Sequence, residues 1–332
     1  MPEAPSALDR LRAEMARQHT DARATFAESA PMAGRIAAAI RAGGGARLVG
    51  MGASHGVNLT AATALRRAGI DAVALTASEA LDAPPPAGPP RIYLSQSGES
   101  GEIRALLARA PDAPAFGITI TPDGLLPRSV PTLVGAGGPE EAFAATRSVL
   151  VSLAAWARIA VELGVRDDGL EAALTGAPPL AVASLARPLA DKRAIAFVGH
   201  GALGGTAAVV ALTTLELARV PTLAFDPGGF RHGPVELLGP ELGLVLLRCA
   251  EPGAEGVDRL ARRARDAGYP PVIVDATGAP DAGADLHLDP FAGIAAALAV
   301  TPVVQALAIE VARLLVDDVG TPRHARKVIR DI

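Results

Sequence analysis

Short apolar runs of strand length alternate with longer helical stretches along this chain, and the alternation runs through twice. In the first half, strands are predicted at 47–50, 72–75, 91–94, 116–120 and 132–134, with helices at 58–68, 101–110 and 141–163. In the second half, strands are predicted at 194–198, 222–225, 244–247, 272–274 and 286–288, with helices at 205–218, 261–267 and 295–316. Strands that alternate with helices give parallel sheets covered on both faces. The expected class is therefore α/β, with two tandem doubly wound parallel-sheet domains. Gly50-Met51-Gly52-Ala53-Ser54-His55-Gly56 matches Gly199-His200-Gly201-Ala202-Leu203-Gly204 in place and character, so the halves read as an internal duplication. Residues 1–42 form a helical lead-in, with one apolar stripe of Leu8, Leu11 and Met15 and another around Ile36 and Ile40. The domains are expected at 43–165 and 190–316, with a proline-broken helical bridge over 173–189 and a tail at 317–332. In such sheets ligands sit at the carboxyl ends of the strands.

Bulk composition removes several alternatives. Half of the 332 residues are hydrophobic and a fifth are charged, a globular composition. The formal charge of −4 and the absence of a lysine or arginine block argue against nucleic acid as a partner. Cys249 is the single cysteine, which excludes an intrachain disulfide or a cysteine-cluster zinc site and suits a reducing cytoplasm. It closes an apolar run and is expected to be a buried small hydrophobe. No apolar run of about 18 residues is expected to span a membrane. The N-terminus is amphipathic and charged, unlike a signal peptide.

Chemistry concentrates first at Ser95-Gln96-Ser97-Gly98-Glu99-Ser100, after the strand at 91–94 and before the helix at 101–110. Helix-start N–H groups and serine hydroxyls suit a phosphate without an added cation. A polar turn with a serine cap is the plainer alternative. A second motif, Gly199, Gly201 and Gly204 with Asp226 some 22 residues on, has dinucleotide-fingerprint spacing. Asp226 leads into Pro227-Gly228-Gly229, however, a turn and not a clean strand end, and a nicotinamide enzyme leaves the serine loop unexplained.

Several segments together resemble the double sugar-isomerase (SIS) family: the isomerase part of glucosamine-6-phosphate synthase and the stand-alone SIS-type amino-sugar-phosphate deaminases and isomerases. Gly50 to Ser54 resembles its first glycine-rich loop, and Ser95 to Ser100 its SQSGET phosphate loop, with Ser100 in place of threonine. Glu140-Glu141-Ala142-Phe143-Ala144-Ala145-Thr146-Arg147-Ser148 resembles the deaminase-type stretch, with Arg147 for lysine. Phe230-Arg231-His232-Gly233-Pro234 resembles the E-x-x-H-G-P segment, and Pro322-Arg323-His324-Ala325-Arg326-Lys327 the C-terminal tail. The likeness runs in order through nearly the whole chain.

The resemblance implies that Ser54, Ser95, Gln96, Ser97, Ser100 and Ala144 line the sugar-phosphate site. It implies that Glu216, 16 residues before His232, shuttles a proton between C1 and C2, that His232 opens the ring, and that Lys327 lies in the sugar site. A carboxylate on an otherwise apolar helix suits a general base near neutrality; a solvent-facing helix-end acid is the alternative. The resemblance also implies a homodimer in which His232 reaches the neighbouring subunit's site, and no metal or cofactor. Three departures fall at the sugar end: Thr213 for a lysine, Gly229 for a glutamate and Leu223 for an acidic residue. No glutaminase segment is expected. The implied activity is a phosphosugar isomerase of the amino-sugar-6-phosphate deaminase/isomerase kind; a fructosamine-6-phosphate deglycase or a non-catalytic sugar-phosphate sensor are the alternatives.

Overall fold

The computed structural model describes residues 4–109, 113–176, 181–279 and 283–330. The chain divides into two compact units, one of Arg10–Asp167 with Pro322–Ile332 and the other of Asp168–Thr321 with Met1–Asp9.

Two helices, α1 (Ala7–Glu28) and α2 (Ala30–Ala42), precede the first sheet. Its elements follow as β1 (Gly45–Gly50), α3 (Gly52–Arg67), β2 (Asp71–Thr76), α4 (Ala77–Asp82), β3 (Arg91–Leu94), α5 (Gly101–Ala108), β4 (Ala115–Thr119), α6 (Leu125–Ser129), β5 (Thr132–Val134) and α7 (Arg147–Glu162). The five strands are parallel in the order β2-β1-β3-β4-β5. The middle strand β3 is buried along its whole length, and Tyr93 packs with Val49, Ile103, Leu106 and Leu126.

The other unit contains α8 (Leu170–Thr175), α9 (Ala183–Ala190), β6 (Ala194–Gly199), α10 (Leu203–Ala218), β7 (Thr222–Phe225), α11 (Pro227–Arg231), a 3₁₀ turn at Pro234–Leu237, β8 (Leu242–Cys249), α12 (Glu255–Asp266), β9 (Val272–Ala276), β10 (Leu286–His287) and α13 (Gly293–Leu315). Its strands run parallel in the order β7-β6-β8-β9-β10. Counted from the first strand of each unit, both orders are 2-1-3-4-5. The α/β class and the parallel sheets thus stand as the alternation predicts.

The differences from the predicted elements have local causes. Helix α3 starts at Gly52, so the glycine segment expected as a loop is mostly the helix's first turn. Helix α10 likewise starts at Leu203. A Cβ at Gly199 would stand 2.1 Å from the Leu203 carbonyl oxygen, so the strand-to-helix turn closes only around glycine there. Helix α7 starts at Arg147 and not at 141: the Glu140 carboxylate takes the N–H groups of Thr146, the N-cap, and of Ser148 in the first turn, which sets the helix start there. Helices α4 and α6 fall in stretches for which no element is predicted. Residue 110 of the expected 101–110 helix and residues 177–180 of the bridge lie outside the described residues.

Helix α13 is long and apolar enough to cross a membrane, contrary to the expectation of no such run. Its most apolar window is 72% buried inside the protein, which marks it as a core helix. Cys249 is buried, as its apolar neighbours predict.

Candidate active site

The Ser95 loop leaves the carboxyl end of β3 and is pinned from several sides. The Gln96 carbonyl accepts from Thr119 Oγ1 at 2.9 Å, Thr121 Oγ1 at 3.0 Å and the Ile120 N–H at 3.3 Å. Gly98 turns the chain at φ +66° and donates its N–H to Ser95 Oγ at 3.2 Å. Ser97 Oγ accepts the Glu99 N–H at 3.1 Å, and Ser95 Oγ lies 3.5 Å from Ser100 Oγ. Ser100 occupies the N-cap of α5 with extended backbone, yet its hydroxyl makes no capping bond. Three hydroxyls are therefore gathered at a helix start, and the one at the N-cap makes no capping bond.

Glu99 orders the rim of this loop. Its carboxylate accepts the Leu125 N–H at 3.0 Å and pairs with Arg104 at 2.9 Å, Arg128 at 3.5 Å and Arg330 at 3.8 Å. Three guanidinium groups face one carboxylate, so a surplus of positive charge lies one residue from Ser100. Ser54 is buried in the first turn of α3.

The tail docks on this same unit. The Gly101 N–H, first in α5, donates to the Ile329 carbonyl at 3.0 Å. Lys327 Nζ lies 3.2 Å from Glu140 Oε2 and 3.3 Å from the Phe143 carbonyl oxygen. Lys327, Ala144 and the Glu140 segment are thereby brought together, with Ala144 fully buried.

Glu140 is the residue to which the sequence reading gave no role of its own. Its buried carboxylate accepts from the Thr146 N–H (3.0 Å), Thr146 Oγ1 (3.1 Å), the Ser148 N–H (3.3 Å) and Ser148 Oγ (2.6 Å), as well as from Lys327. It caps α7 from outside the helix and offers its remaining lone pairs to the tail amine. The available signal was a glutamate followed by Thr146 and Ser148 just before a long apolar helix. Arg147, in contrast, is wholly buried and structural: it ion-pairs with Glu14 and with Asp21 at 3.2 Å and donates to the Gly138 carbonyl at 2.8 Å.

In the other unit, Glu216 sits in the last turn of α10, half-buried. His232 ends α11, exposed, its N–H bonded to the Gly229 carbonyl at 3.2 Å. The departures at the sugar end have local partners. Thr213 is buried and donates its hydroxyl to the Val209 carbonyl at 3.0 Å, within its own helix. Gly229 gives its N–H to Asp226 at 3.0 Å, and Leu223 is exposed.

Asp226, the acid of the fingerprint spacing, accepts the Gly228 and Gly229 N–H groups as the N-cap of α11. A carboxylate so engaged serves its own turn. His200, Cys249 and Glu251 have ligand-type atoms within 4.8 Å of one another. Each already has a protein neighbour: His200 Nε2 lies 2.9 Å from the Pro252 carbonyl, His200 Nδ1 3.9 Å from Cys249 Sγ, and Glu251 accepts two backbone N–H groups.

No family model matches the chain. A glutamine–fructose-6-phosphate aminotransferase (isomerizing) of Bradyrhizobium diazoefficiens is 26% identical over 279 residues, 75% of this chain and 45% of that protein. The chain thus spans less than half the length of that curated relative. A tagatose-6-phosphate ketose/aldose isomerase structure from Escherichia coli superposes with a TM-score of 0.77 at 20% identity, covering 97% of each chain. A glucosamine-6-phosphate deaminase structure from Thermotoga maritima gives 0.76 at 17% identity, covering 96% of this chain and 99% of the other. The chain shares the fold of these sugar-phosphate enzymes across essentially its whole length.

Proposed function

We propose that the chain is a phosphosugar isomerase of the SIS type, acting on an amino-sugar 6-phosphate as a deaminase/isomerase. The observation that carries this reading is the Ser95 loop: three hydroxyls held at the start of α5, with the Ser100 hydroxyl unused as a cap. Ser95, Ser97 and Ser100 hold the phosphate, while Ser54, Gln96 and Ala144 line the sugar. His232 assists ring opening. Glu216 carries the proton between C1 and C2, and the ketose-like imine then loses ammonia to water. Lys327, held by Glu140, meets the reacting end of the open-chain sugar. His232 is exposed at the end of a short helix, which suits a homodimer where it enters the neighbouring subunit's site.

A panel of hexose, hexosamine and fructosamine 6-phosphates tests the proposal, with ammonia, free amino acid and ketose phosphate all measured. Hexosamine 6-phosphate should release ammonia and a ketose phosphate in equal amounts. Amino-acid release from a fructosamine 6-phosphate would move the assignment to a deglycase. Tight binding with turnover of none of the panel would overturn catalysis in favour of sensing. Glu216→Gln should abolish turnover and leave phosphate binding nearly intact.

A further inference from the structure

Strand order in the second unit reverses between β6 and β8: β7 lies on one side of β6, and β8, β9 and β10 follow on the other. In an open parallel sheet, ligands bind beyond the carboxyl ends of the strands at such a reversal. His200 directly follows β6, Cys249 is the last residue of β8, and Glu251 lies two residues beyond it. All three are buried, and the phosphosugar reading uses none of them. Their ligand-type atoms lie within 4.8 Å of one another. They are an imidazole nitrogen, a thiol sulfur and a carboxylate oxygen, three different donors converging on one point.

Hydrogen bonds from behind fix two of the three groups. A carbonyl oxygen only accepts, so the 2.9 Å contact makes His200 Nε2 the donor to Pro252. In the neutral ring the lone pair is then on Nδ1, and Nδ1 is the nitrogen 3.9 Å from Cys249 Sγ. Gly253, at φ +104°, lets the loop close on this ring: a Cβ there would stand 3.1 Å from Nε2. Glu251 Oε2 accepts the Ala202 N–H at 3.1 Å and Oε1 the Gly293 N–H at 2.9 Å, so the starts of α10 and α13 hold the carboxylate plane. Metal-binding histidines and carboxylates are oriented by outer hydrogen bonds of this kind. A tetrahedral zinc ion sets its nitrogen and sulfur ligands about 3.6 Å apart. The histidine and cysteine need to close by only a few tenths of an ångström to reach it.

Charge and donor type agree with this geometry. A thiolate and a carboxylate carry two negative charges and a neutral imidazole none, so one divalent ion leaves the buried site uncharged overall. The thiol proton leaves to solvent as the sulfur takes the ion. Sulfur and imidazole donors select a zinc-class ion over magnesium or calcium. A single cysteine excludes a cysteine-cluster site and is no obstacle to a mixed one.

We propose that His200 Nδ1, Cys249 Sγ and a Glu251 carboxylate oxygen form a binding site for one zinc-class divalent ion in the second unit, with water in the fourth position. The ion joins the end of β6 to the loop after β8. Through Glu251 it also braces the starts of α10 and α13. The site is independent of the Ser95 loop and of the reaction assigned to it.

The test uses tag-free protein produced in medium with cobalt in place of zinc. Elemental analysis after gel filtration should find about one cobalt per chain, with a thiolate-to-cobalt charge-transfer band in the near ultraviolet. Cys249→Ser should lose the band and most of the metal. Cobalt bound without the band, no cobalt at all, or a folded Cys249→Ser that keeps both overturns the proposal. A measurement on wild type alone covers a variant that fails to fold. Cys249 is the single cysteine, so total alkylation in mild urea reads that thiol. Saturating zinc should slow labelling of metal-stripped protein about tenfold or more, and magnesium should not. Equal rates with the two ions sink the idea.

Discussion

Glu140→Gln separates the two jobs of the Glu140 carboxylate. One oxygen takes the Thr146 N–H and hydroxyl, and the other takes Ser148 Oγ and Lys327 Nζ. Glutamine keeps a carbonyl oxygen for Thr146, and the Ser148 hydroxyl can turn to accept from the new amide. Lys327 cannot adapt, since an ammonium only donates. Its side chain is 32% exposed, so the lost ion pair is worth about 1 kcal/mol after solvent screening. That energy corresponds to a roughly fivefold rise in the fraction of molecules with the tail undocked. Global stability should fall by less than about 1 kcal/mol, because the other donors stay paired. Hydrogen exchange reads both effects: residues 322–330 and the Gly101 amide, bonded to Ile329, should exchange faster while α7 stays protected. Lys327→Met should reproduce the effect, and the double variant should add nothing to it. Unchanged tail exchange in Glu140→Gln, or additive losses in the double variant, would refute the coupling. In turnover assays the same cycle should show equal losses for the single and double variants.

Other perturbations probe the loop, the second unit and the sugar end. Gly98→Ala should cost about 1–2 kcal/mol, from a left-handed backbone, and its Cβ would lie 3.3 Å from Leu126 Cβ. Phosphate affinity should fall with it, and unchanged affinity would dissociate the loop conformation from binding. Asp275→Asn should destabilise by about 3 kcal/mol in urea unfolding, because the buried Arg248 loses the carboxylate charge held 2.8 Å from its Nε. Burial pushes the Asp275 carboxyl up, but hydrogen bonds from Arg248 and Thr277, with the Arg248 charge, hold it below its ordinary value of 3.8. Its stabilisation is thus full above that value and lost as pH falls through the depressed one, so the variant should lack this acid-side loss. Thr213→Lys should destabilise by about 3 kcal/mol or more near neutrality, since it buries an ammonium without a partner. The deficit should shrink as pH rises toward the ordinary lysine range, and wild-type stability at neutral pH would show that the helix face opens freely.

Strand positions were legible because the strands stand out as short runs rich in apolar residues between turn signals. The runs at 91–94, 132–134 and 222–225 coincide with β3, β5 and β7. Helix starts were less legible, because their donors are satisfied from a distance. No local pattern announces that Glu140 caps α7 across an intervening loop, or that Glu251 serves α10 and α13 together. Helix α4 is the opposite case. Its capping box is written in Thr76-Ala77-Ser78-Glu79, with Thr76 and Glu79 exchanging side-chain bonds at 3.1 and 2.7 Å, but a helix of 6 residues is too short to show an apolar period. The serine loop was legible in composition. What the sequence left open was whether Ser100 spends its hydroxyl on α5, and that is a matter of backbone geometry.

The same distinction bears on the sugar end. Thr213 and Gly229 differ from the residues the family resemblance leads one to expect, and each is tied into its surroundings. Thr213 turns its hydroxyl into the turn below, with no room in its buried position for a solvated cation. Gly229 lies against the acid that caps α11: a Cβ there would stand 2.9 Å from Asp226 Oδ2, so any side chain must displace the cap. A residue that drifts without consequence leaves its neighbours indifferent, and these two do not. The packing of α10 and the capping of α11 are thus built around a threonine at 213 and a glycine at 229. Under the proposed function, the substrate panel is most informative when run on variants of Glu216, His232, Lys327 and Glu140.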